Sequence, residues 1–457
     1  MNNTSDVPAV TAAALPRRSF LKASALAAGA ALAEAPFVLT SHAANDDPIR
    51  IGLIGCGGRG TGAVLDALGA ATKVIYPSAG YHTEDVAEGA ALKDKSIQVV
   101  ALCDLFQDRI DRCRAQLQKL GNDIPNERCF TGFDGYQQLL AIPEINYVIQ
   151  ATPPHFRPQH ALDAIKAGKN VFIEKPAAVD APGVRTIMEA GRLAKEKNLG
   201  IVAGTQRRHQ LGYVEQMKRV HDGAIGDVLY AHCYWNGGVI WVIEREPGWT
   251  DMEWQLRNWN YFTWLGGDHI VEQHVHNLDV MNWALQAHPI KAYGMGGRQA
   301  RQYPIHGHIY DHFAVAYEYP NGVMMFSQCR QMNGAEGRVE ENIIGTKGRA
   351  AASFTNNFIR FNEGRPWRYD KRAETNPYQQ EHQDLIASIR AGEPLNEAQT
   401  VAESTLTGIM GRESCYSGQS IEWDQALNSN MRLGPTQYKF GPLPFPDVPM
   451  PGKYKMG

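Results

Sequence analysis

The chain has 457 residues, enough for two or three domains, with 45 basic against 48 acidic residues and a net charge of −3. No basic excess points to nucleic acid or to an anionic membrane surface, and a hydrophobic share of 44% is that of a globular protein. Seven scattered cysteines without a C-x-x-C pair argue against a disulfide framework and against a thiolate zinc site; Cys233 and Cys329 can join only if their strands are neighbours.

Residues 1–44 read as a targeting segment. Arg17, Arg18, Ser19, Phe20, Leu21 and Lys22 form a twin-arginine pattern, with Pro16 where Ser or Thr is usual. An Ala-rich stretch follows from Ala23, and Ser41, Ala43 and Ala44 supply small residues for cleavage. The apolar run is too short and too rich in Ala and Gly to span a bilayer permanently. The expectation is periplasmic or other twin-arginine export, with no stable membrane insertion after processing.

Residues 50–62 organise what comes next. Ile51, Leu53 and Ile54 predict a buried strand, and a helix is predicted from Ala63. Between them Gly55, Gly57 and Gly60 stand at the G-x-G-x-x-G spacing, with Cys56, Gly58 and Arg59 filling the loop. The first glycine permits a tight turn, the second lets backbone approach a pyrophosphate, and the third lets helix and strand pack closely. Phosphate would then meet unpaired N–H groups at the helix N-terminus. Residues 76–95 read as a loop or insertion. A second strand, 97–103, ends at Asp104, placed to bond a ribose and to disfavour a 2′-phosphate, which selects NAD over NADP. Asp104 stands 44 residues past Gly60 rather than the usual 20 or so, and the insertion accounts for the excess. The plain alternative for Asp104 is a helix N-cap. Strands at 147–151, 170–173 and 199–203 alternate with helices at 160–167 and 182–197, which predicts a parallel, doubly wound sheet.

Thr152, Pro153, Pro154 and His155 follow one strand tip, and Glu174, Lys175 and Pro176 follow the next. With the glycine motif, this T-P-x-H and A-x-x-A-G-K-x-V-x-x-E-K-P arrangement resembles the Gfo/Idh/MocA family of oxidoreductases. The likeness runs over roughly residues 48–424. It implies a Rossmann dinucleotide-binding domain at 48–205 and an α+β domain with a large, open, mostly antiparallel sheet at 206–424. A Pro/Gly-rich tail, 425–457, is expected to wrap the surface. Strands are predicted at 228–234, 313–319, 322–330 and 342–345, with Asn321-Gly322 turning a hairpin. The resemblance further implies a homo-oligomer built through the open sheet.

The resemblance places Lys175 beside the nicotinamide and the reacting carbinol as a catalytic group. It gives Glu174, Thr152, Pro153 and His155 to the cofactor cleft. Residues 266–279 match the family's G-G-x-x-x-D-x-G-x-H-x-x-D segment, with Glu272 at the acidic position and His276 as its histidine. If the segment is one helix, Glu272 and His276 share a face, and the carboxylate orients the imidazole and raises its pKa. His274 stands where the family has a small residue, which makes the pocket narrower and more polar. Glu272, His274 and His276, with His269 near, are also of the types that hold a divalent ion. A satisfied buried histidine is the favoured reading of His274, and no metal is expected. Six of nine tryptophans (235, 241, 249, 254, 259 and 264) crowd one tract. Aromatic faces stack on the C–H faces of sugars, so Trp259, with Arg257 for polar reach, is expected to line a substrate site. Arg207, Arg208 and His209 are read either as reaching that cleft or as exposed charge. The expected activity is NAD-dependent oxidation of a secondary hydroxyl on a small-molecule carbohydrate. A redox-neutral glycosidase or lyase working through a transient keto-sugar is the second reading, and a non-catalytic sugar-binding protein the third.

Overall fold

Short runs of Ile, Val, Leu and Phe, bounded by glycine and polar turns, build the first sheet. The computed structural model describes residues 48–70, 85–87, 89–90, 92 and 94–457; the twin-arginine segment and most of the 76–95 stretch lie outside them. In chain order come β1 (Ile49–Ile54), α1 (Gly58–Ala67), β2 (Ile97–Asp104), α2 (Gln107–Gln118), β3 (Cys129–Thr131), α3 (Gly135–Leu140), β4 (Tyr147–Gln150), α4 (Arg157–Lys166), β5 (Asn170–Ile173), α5 (Ala181–Glu196) and β6 (Ile201–Ala203). The strands lie in the order β3-β2-β1-β4-β5-β6, all parallel. Every residue of β4, β5 and β6 is buried, as helices over both faces of a parallel sheet require. The winding direction reverses between β1 and β4, so a crevice opens at their C-terminal ends.

The second sheet follows α6 (Leu211–His221). It is built with β7 (Val228–Gly237), α7 (Asp251–Arg257), the one-turn helices α8 (Thr263–Gly266) and α9 (His269–Glu272), α10 (Val275–Leu285), β8 (Lys291–Gly297), β9 (His312–Glu318), β10 (Met324–Gln331), β11 (Arg338–Gly345), β12 (Gly348–Ser353), β13 (Asn356–Phe361) and β14 (Trp367–Arg368). Then come α11 (Pro377–Arg390), α12 (Ala398–Ser417), β15 (Ile421–Glu422) and α13 (Trp423–Asn428). Among the described residues nine strands run β14-β13-β12-β11-β7-β10-β9-β8-β15, antiparallel except for β7 beside β10. The hairpin joining β9 to β10 closes through the Gly322 N–H on the Tyr319 carbonyl, with Gly322 at φ +78°. β7 and β10 are neighbours, yet Cys233 faces Ser327 and Cys329 faces Trp235; all seven cysteines are free.

One face of this sheet packs on helices. On the other face, Tyr230, Tyr293, Met295 and Phe326 are exposed, with Ala316 standing in register between Tyr293 and Phe326. α12 is buried on nearly every side because it lies between β8 and α5 and so joins the two sheets. Its buried Arg412 donates to the Val179 and Gly267 carbonyls and pairs with Glu413. Residues 429–457 follow α13 largely without regular structure.

A buried ion cluster fixes α11 to the first sheet. His209 Nδ1 lies 2.6 Å from Asp384 and Nε2 lies 3.3 Å from Glu397. Burial alone lowers an imidazole pKa, but Glu397 and Asp384 outweigh it and raise His209 to about 10. A raised folded pKa stabilises fully below the unfolded value, 6.5, and the stabilisation fades as pH rises toward about 10. We therefore expect His209→Gln to cost about 3–5 kcal/mol near pH 6. The gap from wild type, read by urea denaturation, should narrow steadily between pH 6.5 and about 10. A gap constant with pH would contradict the charged cluster.

Candidate cofactor cleft and catalytic centre

The glycine loop has three distinct constraints. Gly55 sits at φ +96°, and a Cβ there would lie 2.7 Å from the Ala151 carbonyl carbon. A Cβ on Gly60 would lie 1.8 Å from the Gly55 oxygen. Gly57 is open: its Cβ would meet only the Arg109 guanidinium, at 3.3 Å. Gly57 is also the N-cap of α1 and offers no side chain to cap it, so the first-turn N–H groups point out of the helix unbonded by any cap. Asp104, at the tip of β2, accepts from the Cys56 N–H at 2.6 Å and the Phe106 N–H at 2.9 Å. Burial raises its pKa, and those two bonds oppose the rise.

Gly55, Gly57, Asp104, Thr152 and Pro153 line a cleft at the strand ends. Phe106, Arg109, Phe133 and Phe156 complete that wall, and Leu256 with Trp259 forms the facing one. The Thr152 hydroxyl is buried there without a partner. Free helix N–H groups, an orphaned hydroxyl, a carboxylate at ribose height and apolar walls fit a dinucleotide. Phe106 and Phe133 escaped the motif reading, although each stands two residues beyond a strand tip.

Other predicted cofactor residues lie elsewhere. The Cys56 side chain is buried against the Cys103 carbonyl, and Gly58 contributes backbone as the first residue of α1. Arg59 turns away from the cleft, to Glu174 (2.5 Å), Glu381 (3.2 Å) and Asp66 (3.3 Å). Three buried carboxylates share that guanidinium. Burial raises Asp66 to about 7 and Glu381 well above the carboxylate range, while Arg59 overcomes burial to hold Glu174 below it. Glu174 is 3% exposed and accepts from the Lys175 N–H at 3.2 Å. It braces Lys175 and does not line the cleft. His155 is likewise withdrawn: it bonds the Tyr438 hydroxyl at 2.7 Å and packs on Trp264, and burial takes its pKa down to about 4.

Lys175 follows β5, one strand beyond Thr152 and Pro153. Its ammonium donates to Glu272 Oε1 at 2.9 Å and to the Glu272 carbonyl at 2.6 Å. The expected pairing of Glu272 with His276 does not occur. The chain breaks between α9 and α10, so the two residues are on different helices and share no face. The His276 pKa falls well below 6.5 rather than rising, through burial first and the Lys175 charge second. Its ring stacks on Trp235 at 5.7 Å, and its Nδ1 is buried without a partner. Asp279 binds Arg208 and Ser404 instead of His276.

His274 is fully buried and bonds Ser327 Oγ at 2.6 Å, so it forms no part of a substrate surface. Burial brings its pKa down to about 3. Glu272, His274 and His276 do not converge, and among the described residues no group of three such side chains is placed to hold a metal. Arg207 is buried beneath the centre, paired with Glu341 and lying over Trp235. The bland alternative of exposed charge fails for Arg207 and His209, both buried.

The tryptophan tract divides. Trp254 and Trp264 are core, packed with Tyr261, Phe262 and Leu265. Trp235 backs His276, and Trp259 faces the cofactor cleft. Arg257 pairs with Asp108 and Glu253 and covers Phe106 at 3.8 Å. It therefore flanks the cofactor cleft and not the Lys175 centre.

Comparison with known proteins agrees with this geometry. Residues 49–205 match the model of an oxidoreductase family with an NAD-binding Rossmann fold, and residues 213–351 match the GFO/IDH/MocA C-terminal domain. Together the matched stretches take in well over half of the chain. An inositol 2-dehydrogenase of Gluconacetobacter diazotrophicus is 31% identical over 195 residues, 43% of this chain and 49% of that protein. A 2,7-anhydro-N-acetylneuraminate hydratase of Escherichia coli is 26% identical over 202 residues, 44% of this chain and 50% of that protein. The chain thus spans about half the length of the curated relatives it matches. Among solved structures, aldose-aldose oxidoreductase from Caulobacter crescentus superposes with a TM-score of 0.62 at 16% identity. That match covers 82% of this chain and 99% of the other and shows a shared fold.

Proposed function

Because the chain belongs to the Gfo/Idh/MocA family of NAD-binding oxidoreductases, we infer that it oxidises a secondary hydroxyl of a sugar, polyol or glycoside. The observation carrying this reading is the Lys175–Glu272 pair with a neutral His276 nearby whose buried Nδ1 has no hydrogen-bond partner, one strand from a cleft fit for a dinucleotide. Bound NAD supplies the acceptor for the hydride that leaves the carbinol carbon. Lys175 spends two ammonium protons on Glu272 and has a third to donate to the substrate hydroxyl oxygen. Burial and the Lys175 charge hold the His276 pKa well below 6.5, so its neutral imidazole accepts a hydrogen bond from the hydroxyl and takes the proton only as hydride loss makes that hydroxyl strongly acidic. Trp235 fixes the ring plane, and Glu174, held by Arg59, fixes the backbone of Lys175.

A second reading is redox-neutral. The name of the E. coli relative, a hydratase, describes a reaction without net oxidation. In that route the same residues remove and return the proton around a transient keto-sugar. Incubating NAD-loaded protein with polyols and aryl glycosides separates the readings. Growth of reduced-nicotinamide absorbance supports the dehydrogenase, and aglycone release without it supports the redox-neutral route. Failure to bind NAD at all overturns both.

The reading also includes twin-arginine export, supported by Arg17 and Arg18, and a homo-oligomer closing the open sheet face, supported by the exposed Tyr293, Met295 and Phe326. Processed protein confined to the cytoplasm would refute the first, and a monomeric mass in solution the second.

A further inference from the structure

We propose that residues 431–445 are part of the cofactor site, a strap that holds the adenosine half of NAD in its cleft through turnover. The inference rests on the reading that NAD occupies that cleft.

The strap is anchored at both ends. At its start the Leu433 N–H donates to Asp180 at 2.9 Å, ahead of α5. Gly434 follows at φ +100°, where a Cβ would lie 2.9 Å from both His155 and Trp264, so a glycine is needed for the chain to pass. At its far end the Gly441 carbonyl accepts from Met252, the Leu443 carbonyl accepts from Gln255 at 2.5 Å, and the Leu443 N–H donates to Asp251 at 3.0 Å. Phe445 then packs edge-on against Phe262 at 5.3 Å. One anchor set belongs to the first sheet and the other to α7, which carries the facing wall of the cleft. The strap therefore bridges the two walls.

Between the anchors its aromatic residues grip the cleft lining. Tyr438 stacks on Phe133 at 5.6 Å and touches Phe156 at 5.4 Å, while its hydroxyl bonds His155. Phe440 lies on Phe106 at 6.1 Å and on Phe133 at 5.7 Å. Phe106, Phe133 and Phe156 all line the cleft beside Asp104. The strap thus immobilises the side chains around the ribose carboxylate, and displacing them on nucleotide exit breaks several aromatic contacts at once. This also explains why His155, at the tip of β4, faces Tyr438 and not the cleft.

The test is a chase experiment on the full chain. Protein loaded with labelled NAD is mixed with excess unlabelled NAD, and retained label is followed by rapid filtration. The double variant Tyr438→Ala, Phe440→Ala is expected to release NAD about tenfold faster or more, with a nucleotide-free melting curve close to wild type. Tyr438→Phe, which keeps the ring and loses only the His155 bond, is expected to fall between them. It decides the matter if the double variant does not fold. Release at the wild-type rate from these variants overturns the strap and leaves the NAD reading intact, whereas a wild-type protein that takes up no NAD overturns the reading itself.

Discussion

Lys175→Ala is expected to lower turnover of any accepted carbohydrate by about 10²–10⁴-fold while NAD binding stays near wild type. On the proposed reading the side chain serves the reacting hydroxyl, whereas the nucleotide would be held by the glycine loop, Asp104 and Thr152, which line the separate cleft. Its ammonium is held by two bonds to Glu272, so the charge is positioned before substrate arrives and little reorganisation is needed at the reacting hydroxyl. Truncation removes the donor and leaves the Glu272 carboxylate, 8% exposed, without its cation. Glu272→Gln separates the two effects. It keeps a side chain of similar size, frees Lys175 to wander, and should reduce turnover less than the lysine variant. Steady-state rates with NAD titrated by fluorescence check both. Full activity in Lys175→Ala would remove this residue from the mechanism.

Gly60→Ala should be the more damaging change to the protein as a whole. The added methyl would sit 1.8 Å from the Gly55 carbonyl oxygen and 3.3 Å from the Ala151 Cβ. The Gly55 backbone on one side and Ala151, just past β4, on the other leave no room to shift, so the turn itself must open. We expect more than about 4 kcal/mol lost in denaturant unfolding, together with loss of NAD binding. Gly57→Ala is its counterpart. There the methyl meets only the end of the flexible Arg109 side chain, so folding should survive. The same methyl obstructs the approach of a pyrophosphate, and NAD affinity should fall by roughly tenfold or more, about 1.4 kcal/mol. Equal stability losses in the two variants would contradict the separate roles assigned to the two glycines.

What the sequence reveals about this molecule follows the range of the interaction involved. The glycine spacing, Asp104 and the Glu174-Lys175-Pro176 run are legible because each is a local answer to a local demand: a turn, a strand tip, a ligand at a strand end. The parallel sheet is legible in its alternating strands and helices. Long-range pairings are not. Arg59 stands inside the motif, yet its side chain serves Glu174, 115 residues away, and Glu381, 322 away. Glu272 and His276 have helical spacing, but α9 ends at Glu272 and α10 begins at Val275, so the interruption at Gln273 and His274 puts them on two helices. Periodicity therefore assigns the carboxylate to the wrong partner. The tryptophans carry no period at all, and only packing sorts Trp254 and Trp264 into the core from Trp235 and Trp259 at the site. The 431–445 strap has neither period nor motif, and its position depends wholly on tertiary contacts.

A crystal structure of the full chain with NAD tests the proposed site most directly. The pyrophosphate is expected on the N–H groups at the start of α1, the adenine ribose on Asp104, and the nicotinamide facing Lys175 and His276 across from Trp235. A nicotinamide turned away from Lys175, or a nucleotide bound outside the cleft lined by Gly57 and Thr152, would contradict it.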